Sequence, residues 1–291
     1  MAKSAGCRTA ELFDEHMGMA FAMMVFYPSD APERSEYFGP FEVSVAMNGV
    51  IAEGPFRLAV ISHGTGGSHL LYRTLAAHLA RNGFVVALPE HPRNNRNNNE
   101  LGGTAENMEN RPRHLRIAID WAFADAQLKP ELKRGQVAII GHSLGGYTAL
   151  ALAGGRPVAF AHETPELKAR PMEVTPDERV KALVLLAPAT PWFKGHGALQ
   201  AVDVPILMLT GEKDEYVTEW HANVVKWGLD ERVLLEHRVV PGAGHYSFLS
   251  PYPAAMTRAE FAPSQDPPGF DRLRFHSEMN AEILAFLRRV M

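Results

Sequence analysis

Cysteine is nearly absent: Cys7 is the only one in 291 residues. A single thiol excludes an intramolecular disulfide and fits a reducing compartment. Charge of one sign is also missing. The 29 basic and 33 acidic residues are intermixed, for a net charge of −4. No basic stripe points to nucleic acid, and no acidic block points to a solvated tail. No apolar run approaches the length of a membrane span. The apolar segment 17–26 follows Glu11, Asp14, Glu15 and His16, the wrong flank for a signal peptide. A soluble, cytoplasmic protein is expected. His91, His196, His221 and His237 show no paired ligand spacing, so no metal centre is expected.

Apolar residues make up 46% of the chain, enough for a large core without a staple. Segments 19–27, 42–47, 57–62, 84–88, 137–142, 180–187, 204–210 and 234–240 read as strands. Helical spacing covers 70–79, 112–126, 216–227 and 279–290, with Gly83 placed as a helix-ending glycine. After two opening strands, helices and strands alternate, the signature of an α/β domain with a mostly parallel sheet and helices on both faces. One domain over 1–291 is expected, with surface excursions at about 90–110, 154–179, 188–203 and 246–270. The first carries a run of asparagines. In such sheets the ligand site lies at the carboxyl ends of the strands.

One stretch organises the rest. Val137-Ala138-Ile139-Ile140 leads into Gly141-His142-Ser143-Leu144-Gly145, and small and apolar residues follow. Strand, sharp turn and helix around Gly-x-Ser-x-Gly lift the serine above the sheet as a nucleophile. A Cβ at position 141 or 145 would clash with the neighbouring strand or helix. The N–H of Leu144 then points where an oxyanion would form.

A serine hydroxyl needs a base and an orienting acid. Asp214 follows the strand at 204–210 and is the acid candidate, with Glu212 and Glu215 as neighbours that could compete. His245 follows the last strand and is the base candidate. Ser143, Asp214 and His245 occur in the chain order of the α/β-hydrolases and in neither protease order. The second oxyanion donor falls in His63-Gly64-Thr65-Gly66-Gly67, with Thr65 N–H first and Gly64 as the alternative. That loop lacks the lysine and spacing of a phosphate-binding loop. His63 and His142 read as packed supports rather than bases. Trp192, Phe193, Tyr246 and Phe248 follow strands at the same end and form an expected apolar wall for short acyl groups.

With Val25-Phe26-Tyr27-Pro28, Ser62-His63-Gly64-Thr65-Gly66-Gly67-Ser68 and Gly141-His142-Ser143-Leu144-Gly145-Gly146-Tyr147, the chain resembles the α/β-hydrolase superfamily. Within it, the chain is similar to bacterial proteins of the dienelactone-hydrolase and platelet-activating-factor-acetylhydrolase-like group. Two departures matter. Dienelactone hydrolases carry a cysteine nucleophile where Ser143 stands. The eukaryotic acetylhydrolases take their acid where this chain reads Leu186-Ala187-Pro188-Ala189-Thr190, so the acid moves to Asp214, as in bacterial carboxylesterases and cutinase-like polyester hydrolases. The resemblance implies an ester hydrolase with a Ser143–His245–Asp214 triad, a small-molecule ester substrate and no cofactor. A polyester hydrolase, an amidase, an acyltransferase and a ligand-binding protein on the same scaffold are the alternatives.

Overall fold

The computed structural model describes residues 3–291. Its ten-stranded sheet has the order β12-β11-β10-β7-β5-β6-β2-β1-β4-β3. The parallel half comprises β5 (Phe56–Ser62), β6 (Phe84–Pro89), β7 (Leu132–His142), β10 (Val180–Leu186), β11 (Ile206–Gly211) and β12 (Leu235–Val240). The other half is built from β1 (Ser4–Asp14), β2 (Met19–Ser29), β3 (Arg34–Phe38) and β4 (Phe41–Met47). β2 joins the halves by pairing antiparallel with β6. A separate pair, β8 (Val158–Ala159) and β9 (Arg170–Pro171), lies within the expected excursion at 154–179.

The central strands carry unbroken apolar runs, Leu58–Ile61 in β5, Val137–Ile140 in β7 and Ala182–Leu186 in β10, because both faces are covered there. Consecutive residues point to opposite sides. Val60, Ile139 and Leu183 face one core, with α2 (Ala105–Ala124), α3 (Leu144–Leu152) and α4 (Glu219–Gly228) over it. Ile61, Ile140 and Val184 face the other, under α1 (Arg73–Arg81) and α5 (Arg272–Val290). Each fully buried side chain of this size contributes about 1.5–3 kcal/mol. The sheet thereby fixes the height of every loop at its carboxyl edge.

Three elements differ from expectation. The chain opens with four strands, not two: β1 and β3 were not expected. Arg8 and Glu11 interrupt the apolar pattern of β1, yet it pairs with β2 from Ser4 to Asp14 and buries Cys7 completely. Burial pushes the Cys7 thiol up to about 12, so it is an inert core residue. Helix α2 begins at Ala105 rather than at Pro112. The Thr104 hydroxyl accepts from Asn107 N at 3.1 Å and caps the start. Pro112 cannot donate to the Met108 carbonyl four residues back, and the Tyr147 hydroxyl donates to that carbonyl instead, at 3.2 Å.

Candidate active site

Ser143 is the single residue between β7 and α3, with φ 54° and ψ −119°. A non-glycine residue at positive φ is strained and is held only by its surroundings. Here the hold is specific. Ser143 N donates to Leu186 O at 3.0 Å, and Ser143 O accepts from Ala189 N at 2.9 Å. A Cβ on Gly141 would meet Gly145 O at 2.1 Å, and one on Gly145 would meet Ser62 O at 2.0 Å. Both positions therefore require glycine, and the turn is as tight as the sequence implied.

Three loops at the carboxyl ends of β7, β11 and β12 bring Ser143, Asp214 and His245 into one hydrogen-bonded line. Ser143 Oγ lies 3.0 Å from His245 Nε2, and His245 Nδ1 lies 2.8 Å from Asp214 Oδ2. Asp214 Oδ1 accepts from Tyr216 N at 2.9 Å and Val217 N at 2.8 Å. Burial alone would raise the Asp214 carboxyl, but the hydrogen bond and charge of His245, with those two N–H donors, hold it below the ordinary range. The two neighbouring carboxylates lie elsewhere. Glu212 accepts from Gly242 N at 2.7 Å, and Glu215 is exposed. The turn that carries His245 is tied to α5: Gly244 N donates to Ser247 Oγ, Ser247 Oγ donates to Asp266, and Asp266 pairs with Arg272.

His142 is a support. The His245 carbonyl can only accept, so His142 Nε2–H donates to it at 3.0 Å. Its Nδ1 is then the acceptor for the Tyr72 hydroxyl at 2.9 Å. Burial pushes the imidazole down to about 3, so it stays neutral and braces the His245 turn. His63 donates from Nδ1 to Gly64 O at 2.7 Å and accepts His91 N at Nε2, which fixes the loop that carries Thr65. The Thr65 hydroxyl accepts from Asn94 Nδ2 at 3.0 Å. Among the described residues, neither Thr65 N nor Leu144 N has a hydrogen-bond acceptor.

Arg111 was not singled out in the sequence, where it stands between the expected excursion at about 90–110 and the expected helix at 112–126. It is fully buried and has no carboxylate partner among the described residues. It donates to Asn94 Oδ1 at 2.6 Å, to Thr148 Oγ1 at 3.0 Å, to Ser62 Oγ at 3.2 Å and to the His63 carbonyl. Burial lowers its guanidinium to about 9, so it remains a cation at neutral pH. It ties the loop after β5, the asparagine segment and α3 together behind Ser143. Replacing it by methionine leaves four acceptors without their donor. Arg111→Met is expected to lower stability by roughly 3 kcal/mol or more, read as a lower urea midpoint. An unchanged midpoint would show that the loops hold without it.

A cleft of about 520 Å³ opens over Ser143 and His245. Tyr72, Tyr216, Tyr246, Tyr252 and Phe261 supply its aromatic walls. The structure moves three of the four expected wall residues elsewhere. Phe193 is 2% exposed and stacks on Tyr147 with ring centres 5.4 Å apart. Trp192 packs edge-on to Tyr147 at 5.1 Å, and its Nε1 donates to Glu163 at 3.0 Å. Phe248 is buried against Phe275 and His142. These rings are more stabilised by local core contacts than by facing a wet cleft. Tyr246 lines the cleft. A larger surface cavity of about 940 Å³, bordered by Gly154, Met172 and Val204, is lined by none of Ser143, Asp214 and His245.

A family model described as "alpha/beta hydrolase fold" matches residues 60–199, which span β7 and the Ser143 turn. A search of curated proteins gives no match. Among solved structures, a ferulic acid esterase from Streptomyces cinnamoneus is similar over 100% of this chain and 91% of its own, with a TM-score of 0.68 at 17% identity. The parallel half-sheet, the turn after β7 and this likeness agree on one architecture: the chain has the α/β-hydrolase fold.

Proposed function

We propose that this chain is a serine hydrolase of carboxylic esters, of the kind that resembles bacterial dienelactone-hydrolase-like serine esterases. The carrying observation is the line Ser143 Oγ–His245 Nε2–Asp214 at 3.0 and 2.8 Å. His245 takes the proton as Ser143 Oγ attacks the acyl carbonyl, then passes it to the leaving alcohol. Asp214 holds the imidazole with Nδ1 protonated and stabilises the imidazolium. The free N–H groups of Leu144 and Thr65 receive the oxyanion. Water, activated by His245, releases the acyl group from Ser143. The similar structure is named an esterase, which supports ester rather than amide cleavage.

Short acyl esters are the favoured substrates in this reading, since a cleft of about 520 Å³ walled by tyrosines suits compact ligands. Turnover of an ester panel varied in acyl and alcohol length tests it, and a folded protein that hydrolyses none would contradict it. The wall is now assigned to Tyr246 and its neighbours, not to Trp192. Trp192→Ala should therefore leave the chain-length profile of 4-nitrophenyl esters where it is, whereas Tyr246→Ala should shift it towards longer chains. A shift in Trp192→Ala alone would return the wall to the loop after β10.

A further inference from the structure

The asparagine segment stands outside the chemistry described so far, yet it is heavily built. Asn95 Oδ1 accepts from Asn97 N at 2.9 Å and Asn98 N at 3.1 Å, and Asn95 N donates to Asn98 O at 2.8 Å. Asn95 Nδ2 donates to the His91 carbonyl at 2.9 Å. Asn94 Nδ2 reaches Thr65 Oγ1 at 3.0 Å and Asn99 Oδ1 at 2.7 Å, while its own Oδ1 is held by the buried Arg111. Asparagine side chains that bond the backbone two and three residues on are how short turns are fixed without a core. This scaffold presents one residue to the cleft. Arg96 N donates to Gly67 O at 2.8 Å, which seats Arg96 beside the glycine loop.

The segment has two arginines, and they differ. Arg93 Nε pairs with Glu100 at 2.9 Å. Arg96 is exposed at the cleft mouth and, among the described residues, has neither a carboxylate partner nor any side-chain hydrogen bond. Among the described residues no aspartate, glutamate or lysine lines the cleft, and Arg96 is its one permanently charged side chain. Burial raises the Tyr252 hydroxyl to about 12 against the opposing charges of Arg272, Arg73 and, least of the three, Arg96. A guanidinium presents planar paired donors that match a carboxylate.

Resting on the ester-hydrolase reading, we propose that Arg96 is a specificity residue and that the preferred substrates are esters bearing a carboxylate. The carboxylate docks on Arg96 above Gly67 while the ester carbonyl lies at Ser143. The anion sits on the acyl or the alcohol portion, and paired substrates separate the two.

The experiment compares two pairs. On the acyl side these are the 4-nitrophenyl hemiester of adipic acid and its methyl-capped neutral form. On the alcohol side they are 4-carboxyphenyl butanoate and 4-carbamoylphenyl butanoate. For the parent protein in low salt, kcat/KM should favour the anionic member of at least one pair by about 5- to 10-fold. The preference should lie in KM and shrink at high ionic strength. Arg96→Gln should bring that ratio close to one, and Arg96→Lys should keep part of it. A parent ratio at or below one in both pairs, or a ratio unmoved by Arg96→Gln, would overturn the anion site while the ester reading stands. No turnover of any of the four by folded protein would overturn the ester reading, and this inference with it.

Discussion

Ser143→Ala is expected to fold as the parent does and to lose about 10⁴-fold or more in kcat on any ester the parent hydrolyses. The fold should survive because the turn is held through backbone atoms, Ser143 N to Leu186 O and Ala189 N to Ser143 O, and alanine keeps both. What disappears is the hydroxyl bonded to His245 Nε2. The residual rate then comes from the oxyanion donors and from substrate binding. Asp214→Asn should fall by about 10³- to 10⁴-fold, since the amide leaves the imidazole in the wrong tautomer. The losses should not add. Three groups that act as one unit give a double variant no worse than Ser143→Ala alone. Near-parent turnover by a folded Ser143→Ala protein would remove the nucleophile from the scheme.

Stability is expected to collapse as pH falls from about 6.5 to about 4. Burial holds several imidazoles neutral: His114 and His276 are lowered to about 4, His142 to about 3, and His63 and His91 well below the ordinary value. His114 is lowered despite its contact with Asp14, and His276 despite its bond to the Ser247 carbonyl. The sign follows from proton counts. In the unfolded chain these groups bind protons below about pH 6.5, while the folded protein refuses them until far lower pH. The unfolded state therefore binds more protons, and acidification favours it. Each group costs about 1.4 kcal/mol per pH unit across its window. The summed loss is on the order of 10 kcal/mol, comparable with the whole stability of an ordinary domain. Asp14 adds to the loss only at more acid pH, where its carboxyl, held low by His114 and Arg113 against the effect of burial, finally protonates. Urea midpoints at pH 7.0, 5.5 and 4.5 measure this. They should drop steeply, and His276→Gln should make the decline shallower. A midpoint that holds steady to pH 4.5 would mean that these histidines accept protons within the fold.

The parts of the site that were legible in the sequence are those fixed by local sterics and chain order. Gly141 and Gly145 have no room for a Cβ, so the pentapeptide carries its own geometry. Asp214 and His245 follow apolar strands whose ends the sheet aligns. The parts that were not legible depend on partners distant in sequence. Pro112 looks like a helix start until Tyr147 supplies the hydroxyl that satisfies Met108 O. Trp192 and Phe193 sit after a strand at the active end, but their rings pack on Tyr147 and not in the cleft. Arg111 gives no signal in the sequence because its four acceptors come from separate segments. β1 escapes notice because Arg8 and Glu11 break its pattern, although it pairs with β2 and β4 on its two sides and Cys7 is buried.

The ester reading turns on whether Ser143 is activated by His245 and Asp214, and reaction with a fluorophosphonate measures that most directly. Intact mass should show one phosphonyl group per chain, and peptide mapping should place it on Ser143. Ser143→Ala should show none, and Asp214→Asn should label far more slowly than the parent. A folded parent protein that takes up no label, or takes it at another residue, would contradict the assignment and favour a binding protein built on a hydrolase scaffold.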